Sequence, residues 1–194
     1  MWSEFRASLR PAAVLLGLFT ALLGVAYPLA VTGAAQLLLP AKANGSLVFE
    51  RGQLRGSALI GQAFSRDDLF HPRPSAAGKG YDGEASAGSN LAPGAPDLLK
   101  RVAGDVASLR RQGVSGPIPV DLVTASASGL DPDISPAAAL AQVPRVATAR
   151  RLPPAQVAAL VRAAVETPFP AFLGAPHVNV LALNRALMQA QPAP

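Results

Sequence analysis

The N-terminal part of the chain contains 28 consecutive residues without a charged side chain, from Ala12 to Leu39. About 20 apolar residues in a helix span the ~30 Å hydrocarbon core of a bilayer. Tilt of the helix, or a kink at Pro28, can absorb the surplus length. The sequence therefore predicts a head over residues 1–11, one transmembrane helix over 12–39, and a domain over 40–194.

The charges that flank this apolar run predict its orientation. Arg6 and Arg10 precede the run and Lys42 follows it. Because positive charge favours the cytoplasmic side, we expect a cytoplasmic head and an extracytoplasmic domain. A cleaved signal peptide is the alternative, since residues 41–43 read Ala-Lys-Ala. Signal peptides carry only about 7–15 apolar residues, so a retained anchor is favoured over a secreted binding protein.

Small residues recur within the apolar run at spacings of four, three and four, namely Gly17, Ala21, Gly24 and Pro28. This spacing places them on one face of an α-helix. A face of small residues lets another membrane helix approach closely. We therefore predict a helix-docking face, although Gly and Ala are also frequent in membrane helices in general.

The composition of the remaining chain bounds its class. The chain has 17 Gly, 19 Pro and only 5% aromatic residues, which predicts a loop-rich domain with an aliphatic core. After residue 43 there are 14 basic and 11 acidic residues. This mild and dispersed surplus does not predict a nucleic-acid partner. The absence of cysteine excludes disulfides, thiol catalysis and thiolate metal sites.

Apolar periodicity and turn residues predict a mixed α+β domain. Strands are predicted at residues 46–49, 54–60, 120–125 and 177–181. Helices are predicted at 97–112, at 137–143 with an interruption at Pro144, from 154 onward, and at 183–189. The 27 residues from Phe70 to Pro96 form a loop whose distinct polar residues favour order over a flexible linker.

No metal site is predicted. His71 and His177 are more than 100 residues apart, and nothing around either has the spacing of metal ligands. Asp131 and Asp133 could offer oxygen atoms to a cation, but the following residues do not complete an EF-hand loop. Helix capping and turn formation explain these carboxylates without a ligand.

Two patterns in the sequence are partly similar to catalytic or nucleotide-binding motifs. Gly78–Gly83 matches G-x-G-x-x-G but neither follows a predicted strand nor opens a helix, so it does not predict a phosphate cradle. Ser126 or Ser128 could form a triad with His177 and Asp131, although the G-x-S-x-G turn is missing. A membrane-anchored extracytoplasmic serine hydrolase is therefore kept as an alternative, and no catalytic residue is predicted.

Several polar turns are distinctive. They read LIGQ at 59–62, HPRPSA at 71–76, GSNL at 88–91, VDLVTASASGLDPDISP at 120–136, QVPRVA at 142–147 and VNVL at 178–181. On these strings the chain resembles the C subunit of the Kdp-type potassium-transporting P-type ATPase over nearly its whole length. The stretch from Asp121 to Arg145 is the most specific part of the resemblance.

The resemblance implies an accessory subunit, without catalysis of its own, in a bacterial inner-membrane complex for potassium uptake. Its implied partners are a potassium-pore subunit, an ATP-hydrolysing P-type subunit and membrane lipid. The complex uses ATP, Mg²⁺ and K⁺, whereas this chain needs no cofactor. The family is described as a catalytic chaperone that raises ATP affinity, and Gln142 is the candidate for a nucleotide or partner contact. A solvated helix position is the alternative for Gln142.

The predicted topology limits the role of Gln142. ATP is inside the cell and the domain is predicted to lie outside, so direct ATP contact and this orientation exclude each other. We therefore favour stabilisation of the assembled complex through the membrane helix and the outer domain. Any effect on ATP affinity would be indirect and would require different interactions with two states of the pump.

Overall fold

The computed structural model describes residues 2–190, which divide into two compact units with the boundary between Leu47 and Val48. The first unit contains one continuous helix of 37 residues, long and apolar enough to cross a membrane. It consists of α1 (Trp2–Phe19), a π-helical segment (Thr20–Ala26) and α2 (Tyr27–Leu38). The predicted long N-terminal apolar helix is thus confirmed, while the limits at 12 and 39 stay predictions.

The π-helical segment changes the geometry of the predicted small face. A π-helix has wider turns than an α-helix, so residues three and four apart no longer stack on one face. Gly17 precedes the segment, Gly24 lies inside it and Pro28 follows it. Gly24 and Pro28 are therefore rotated away from the helix face that contains Gly17, which they would share in a regular α-helix.

A short helix, α3 (Pro40–Ala43), follows the long one. Gln36 and Asn44 exchange amide hydrogen bonds of 3.3 and 3.1 Å on either side of it. The Asn44 amide also donates to the Pro40 carbonyl at 2.7 Å. These bonds fix the turn through which the chain leaves the helix.

The β-strands after this turn begin with a small hairpin. β1 (Leu47–Glu50) and β2 (Gln53–Ser57) pair across a two-residue turn. The first lies one residue beyond its prediction, and the second ends three residues earlier than residue 60. It ends there because the Ser57 hydroxyl accepts a hydrogen bond from the Leu59 N–H at 3.1 Å and forms a turn.

The second unit is built from four helices and a small antiparallel sheet. The helices are α4 (Pro96–Arg111), α5 (Pro136–Arg150), α6 (Pro154–Ala163) and α7 (Val180–Gln189). The strands are β3 (Asp133–Ile134), β4 (Val165–Glu166) and β5 (His177–Asn179). The sheet order is β3-β5-β4, so Val178 pairs with Ile134 on one side and Val165 on the other. The mixed α+β class is confirmed.

The core of this unit lies where α5, α6 and α7 meet the central strand. Its fully buried side chains are mostly aliphatic and include Phe70, Val146, Val157, Val161, Val178, Leu183 and Leu187. Phe70 comes from the predicted long loop, and no helix or strand interrupts that loop before α4. The loop is thus tied to the core at its first residue.

The strand predicted at residues 120–125 is wrong. The chain forms a single 3₁₀ turn over Val120–Leu122 instead. The N–H groups of Leu122 and Val123 both donate backward, to Pro119 and Val120, at 3.1 Å. Local turn bonds thus satisfy backbone groups that a sheet partner would otherwise have to pair.

The interruption predicted at Pro144 is also wrong, because α5 continues through it to Arg150. Proline removes one backbone hydrogen bond inside a helix. Val143 on one side of Pro144 and Val146 and Ala147 on the other are all buried in the core. Their packing holds the helix together across the missing bond.

The last strand and helix meet earlier than predicted. β5 ends at Asn179 rather than residue 181, and α7 starts at Val180 rather than residue 183. The Asn179 side chain accepts a hydrogen bond from the Ala182 N–H at 3.0 Å and caps the helix.

Candidate functional site

The backbone of Asp67–His71, hereafter the clamped segment, is held by carboxamide side chains from two helices. Asn184 of α7 accepts from the Phe70 N–H at 2.8 Å and donates to the Phe70 carbonyl at 3.0 Å. Gln142 of α5 accepts from the His71 N–H at 2.7 Å and donates to the His71 carbonyl at 3.0 Å. Two successive residues therefore have both backbone groups bound by a side-chain amide.

Two arginines of α5 complete the clamp. Arg145 donates to the carbonyls of Asp67 at 2.6 Å and Leu69 at 3.0 Å. Arg150 donates to the carbonyl of Asp68 at 2.6 Å. All five consecutive carbonyls of the clamped segment thus accept a side-chain hydrogen bond. Side chains thus satisfy the carbonyls of an irregular segment that includes a turn and is not paired with a strand.

The charges at this clamp shift one another's protonation. The Asp68 carboxylate accepts two bonds from Arg66, and this lowers the pKa of Asp68. Arg150 lies 3.3 Å from the same carboxylate. Burial lowers the pKa of Arg145 and Arg150 below the ordinary value of an arginine side chain. Burial, together with the nearby Arg145 charge, also lowers the pKa of His71.

Gln142 lies in the interior, so the alternative of a solvated helix position is wrong. The residue is 2% exposed. Besides its two bonds to His71, its oxygen accepts from Arg145 at 2.7 Å and its nitrogen donates to the Ala138 carbonyl at 3.3 Å. A nucleotide or partner contact at Gln142 stays a prediction, and any such contact would have to compete with these bonds.

A cleft of about 370 Å³ opens beside the clamped segment. One wall runs from His71 to Tyr81, the other comes from α4, and Gln142 lies among the lining residues. It is the place where a small polar ligand could meet the clamp.

Three polar side chains of the first wall are bound to neighbouring protein atoms, namely those of Arg73, Ser75 and Tyr81. Arg73 forms an ion pair of 2.8 Å with Asp131. The Ser75 hydroxyl donates to the Gly129 carbonyl at 2.6 Å and accepts from the Tyr81 N–H at 2.8 Å. The Tyr81 hydroxyl donates to the Arg73 carbonyl at 2.7 Å, and burial raises its pKa, so the phenol keeps its proton. These bonds hold the long loop against residues 129–131, in keeping with the expectation of an ordered loop.

Gly78–Gly83 lies on the same loop, in a run of turns. Gly78 and Gly80 have positive φ angles of 53° and 106°. The next helix, α4, begins only at Pro96. The motif therefore has no helix N-terminus at its end, which is the feature that binds phosphate in dinucleotide-binding proteins.

The two candidate nucleophiles, Ser126 and Ser128, stabilise the turn in which they lie. The Ser126 hydroxyl accepts from the Gly129 N–H at 2.8 Å, and the Ser128 hydroxyl accepts from the Leu130 N–H at 3.1 Å. The two hydroxyl oxygens are 3.4 Å apart. Within residues 2–190 neither serine forms a hydrogen bond with a histidine. The structure therefore does not form the catalytic triad with His177 and Asp131.

His177 is surrounded by carboxylates instead. Its Nε2 lies 3.9 Å from Asp133 and 4.0 Å from Glu166, and its Nδ1 lies 3.1 Å from the Ala175 carbonyl. Burial raises the pKa of Asp133, and the neighbouring His177 opposes this shift. Across the described chain, no three His, Cys, Asp or Glu side chains lie together as metal ligands would. The prediction of no metal and no cofactor stays a prediction.

Sequence reasoning singled out Gln142 and missed Asn184, Arg145 and Arg150. A signal was present in the helical spacing. Asn184 lies three residues after Leu181 and three before Leu187, on the face that is buried. A carboxamide on an apolar helix face predicts a buried polar partner, because unpaired polar groups are costly to bury.

The sequence model of the family described as "K+-transporting ATPase, c chain" matches residues 9–189. Proteins named "Potassium-transporting ATPase KdpC subunit" are similar along most of this chain. One from Caulobacter vibrioides (strain NA1000 / CB15N) is 58% identical over 180 residues, covering 92% of this chain and 91% of its own. One from Caulobacter sp. (strain K31) is 55% identical, with 95% of both chains covered. One from Beijerinckia indica is 53% identical, with 92% of both covered.

Proposed function

Because the chain belongs to the KdpC family of potassium-transporting ATPase subunits, we propose that it is a non-catalytic accessory subunit required for assembly and stability of the complex. Its partners are the potassium-pore subunit and the ATP-hydrolysing P-type subunit. The pump uses ATP, Mg²⁺ and K⁺, and this chain contributes no cofactor of its own. Its role is to hold the other subunits in a productive arrangement.

The observation that supports a non-catalytic role is that the side-chain amide of Gln142 forms all its hydrogen bonds within the domain. The Gln142 amide takes part in four hydrogen bonds to protein atoms, two accepted by its oxygen and two donated by its nitrogen. An amide in this state positions the chain and offers no free group to a substrate.

An effect on ATP affinity then has to be transmitted through the complex. A subunit changes the affinity of a distant site only if it interacts differently with two states of the pump. The clamped segment helps to fix the conformation of the domain. A domain of fixed conformation can interact more strongly with one state of the pump than with the other. We propose that the domain favours the pump state that binds ATP tightly, without touching the nucleotide.

The proposed location is a bacterial inner membrane, with one span, a cytoplasmic N-terminus and an extracytoplasmic domain in contact with lipid and pump. The long apolar helix supports a single span. The chain has no cysteine, so orientation can be measured with one introduced thiol. In intact spheroplasts, Lys79→Cys should react with a membrane-impermeant maleimide. The matched control Ser3→Cys should react only after permeabilisation, and the reverse pattern would overturn the orientation.

The proposed role is tested by purifying the pump with and without this chain. Without it, we expect a lower yield of the assembled complex and a higher ATP concentration for half-maximal hydrolysis. An unchanged yield together with an unchanged ATP dependence would overturn the proposal.

The same assay addresses the hydrolase alternative. Alanine substitutions at Ser126, Ser128 and His177 are expected to leave potassium-stimulated ATP hydrolysis unchanged. Labelling of the wild-type chain by a serine-directed phosphonate would instead favour a hydrolase. The mass of the mature chain decides whether a segment ending near residue 43 has been removed.

A further inference from the structure

The loop that joins β4 to β5, residues 167–176, exposes large apolar side chains and is hereafter the apolar loop. Phe169 is 94% exposed and Phe172 is 85% exposed, and Leu173 beside them is also exposed. Within residues 2–190, no other large apolar side chain is more exposed than Phe169. Isolated exposed apolar residues are common on proteins, but two phenylalanines and a leucine within five positions form a patch.

The root of the apolar loop is fixed to the core. Val165 and Val178 pair across the two strands, and the next pair is Glu166 with His177. Val178 is fully buried. The loop with the two phenylalanines therefore begins and ends at strands that are packed against the hydrophobic core.

The tip of the apolar loop is itself constrained. Three of its ten residues are prolines, whose rings fix the backbone φ angle. The Leu173 N–H donates to the Pro170 carbonyl at 3.0 Å. A Cβ atom added at Gly174 would lie 3.2 Å from the Pro168 ring, so the two sides of the loop lie against each other. A loop ordered in this way loses less entropy when it binds.

The charges around the apolar loop distinguish between a lipid surface and a protein as its binding partner. No Lys or Arg occurs from residue 163 to 184, and the loop itself has no charged residue. Two carboxylates lie at its root, those of Glu166 and Asp133, both close to His177. Loops that bind anionic lipid carry Lys or Arg beside their apolar residues, and carboxylates there are repelled.

We propose that the apolar loop is a docking surface that inserts Phe169 and Phe172 into an apolar pocket with a basic rim on another subunit of the potassium-transporting ATPase. This inference rests on the proposed function, because it requires the chain to be part of that complex. Buried aromatic residues at the centre of an interface carry much of the binding energy. A basic rim would pair with the carboxylates at the root of the loop.

The first experiment is co-purification of the full chain with the other subunits. The double variant Phe169→Ser/Phe172→Ser should reduce the fraction of the chain that co-purifies by about tenfold or more. The matched control Leu99→Ser removes an exposed apolar side chain from α4 and should co-purify like the wild type. Because both phenylalanines are exposed, the double variant should unfold at the same denaturant concentration as the wild type. Equal co-purification of the double variant and the wild type would overturn the proposal.

The second experiment identifies what lies against the loop. A photo-crosslinking phenylalanine analogue, p-benzoylphenylalanine, is placed at position 172 of the full chain in the assembled, membrane-embedded complex. The expected product has the mass of this chain plus another pump subunit. A product of two copies of this chain, or an adduct with lipid only, would overturn the proposal.

The two proposals fail in different ways. If the wild-type chain does not co-purify with the pump, the proposed function fails. If the wild type co-purifies and the double variant does so equally well, only the apolar loop inference fails.

Discussion

The side-chain amide of Gln142 forms hydrogen bonds with both backbone groups of His71, at 2.7 and 3.0 Å. The two residues are 71 positions apart in the sequence. The bond pattern is that of one residue in a β-ladder, with a side chain in place of the second strand. The sequence-derived candidate for a ligand contact is therefore first of all a structural support for the wall of the cleft.

Gln142→Leu should destabilise the domain by about 2–4 kcal/mol, because the buried N–H and C=O of His71 lose their partner. Equilibrium urea unfolding of the full chain in detergent measures this. The control Gln112→Leu removes an amide from the opposite wall of the same cleft, where it bonds only a nearby helix side chain, and should cost less than about 1 kcal/mol. If Gln142→Leu instead weakens ATP binding by the pump and leaves the free energy of unfolding unchanged, direct ligand contact is the better explanation.

Arg150→Met should be strongly destabilising. The Arg150 side chain is 2% exposed, and it bonds both the backbone and the carboxylate of Asp68. Removing it leaves a buried carbonyl unpaired and weakens the charge pairing, at a cost of about 2–4 kcal/mol. Arg162→Met on α6 is the control and should change the free energy of unfolding by less than about 0.5 kcal/mol, since Arg162 is exposed. Equal effects of the two substitutions in urea unfolding would contradict the clamp.

Local patterns in the sequence predicted the helices well. The long apolar run is helical as expected, although the helix already begins at Trp2, and α4 lies within one residue of its prediction at each end. Helices depend on spacing within a single segment, so one sequence contains most of the information. Strands depend on a partner elsewhere in the chain. The stretch from Val120 has strand-like residues, but its carbonyls bind Arg101 and Arg73 side chains instead of a neighbouring strand.

The site was predictable only in part for the same reason. The resemblance singled out Gln142, but nothing in a single sequence pairs it with His71, or Asn184 with Phe70 at a separation of 114 residues. The apolar loop was not recognised either. A single sequence does not tell an exposed Phe or Leu from a buried one, and the exposure of these side chains is evident only in the folded domain.

His71 should make the stability of the domain depend on pH. Burial lowers its pKa from the ordinary value near 6.5, so the unfolded chain binds a proton more readily than the folded domain. The contribution of neutral His71 to the free energy of unfolding is fully present above pH 6.5. It is lost as pH falls through the lower, folded-state pKa. His71→Gln removes this titration and can still donate to the Arg66 carbonyl, which Nε2 contacts at 3.0 Å.

The measurement is urea unfolding of both chains at pH 7.5 and pH 5.5. The wild type should lose more stability than His71→Gln over this interval. Asp68 and Asp133 titrate in both proteins, so the difference between the two isolates His71. Equal losses would show that protonation of His71 does not oppose folding.

Gly129→Ala should be more damaging than its backbone angle alone explains. Gly129 has φ of 67°, and an added Cβ would lie 2.6 Å from the Ala77 nitrogen and 2.7 Å from the Ala87 carbonyl oxygen. Gly116 has a similar φ of 77° with open space around it, so Gly116→Ala isolates the backbone cost, about 1–2 kcal/mol. The Gly129 substitution should cost at least about 2 kcal/mol more, because backbone atoms must move. Thermal unfolding of the two variants, compared with the wild type, measures the difference.

The long apolar helix offers a test of docking that separates its two small-residue positions. The π-helical segment rotates Gly24 away from Gly17, so a single partner helix cannot lie equally close to both. If a partner helix packs on the helix, either Gly17→Leu or Gly24→Leu should weaken co-purification with the pump strongly, and the other only slightly. The control is Gly33→Leu, since Gly33 is not part of the predicted small face and, as at Gly17, an added Cβ has no atom of this chain within 4 Å. Quantitative co-purification from membranes compares the three variants. Equal yields for all three would mean that the helix serves as a membrane anchor without a close-packed partner at these positions.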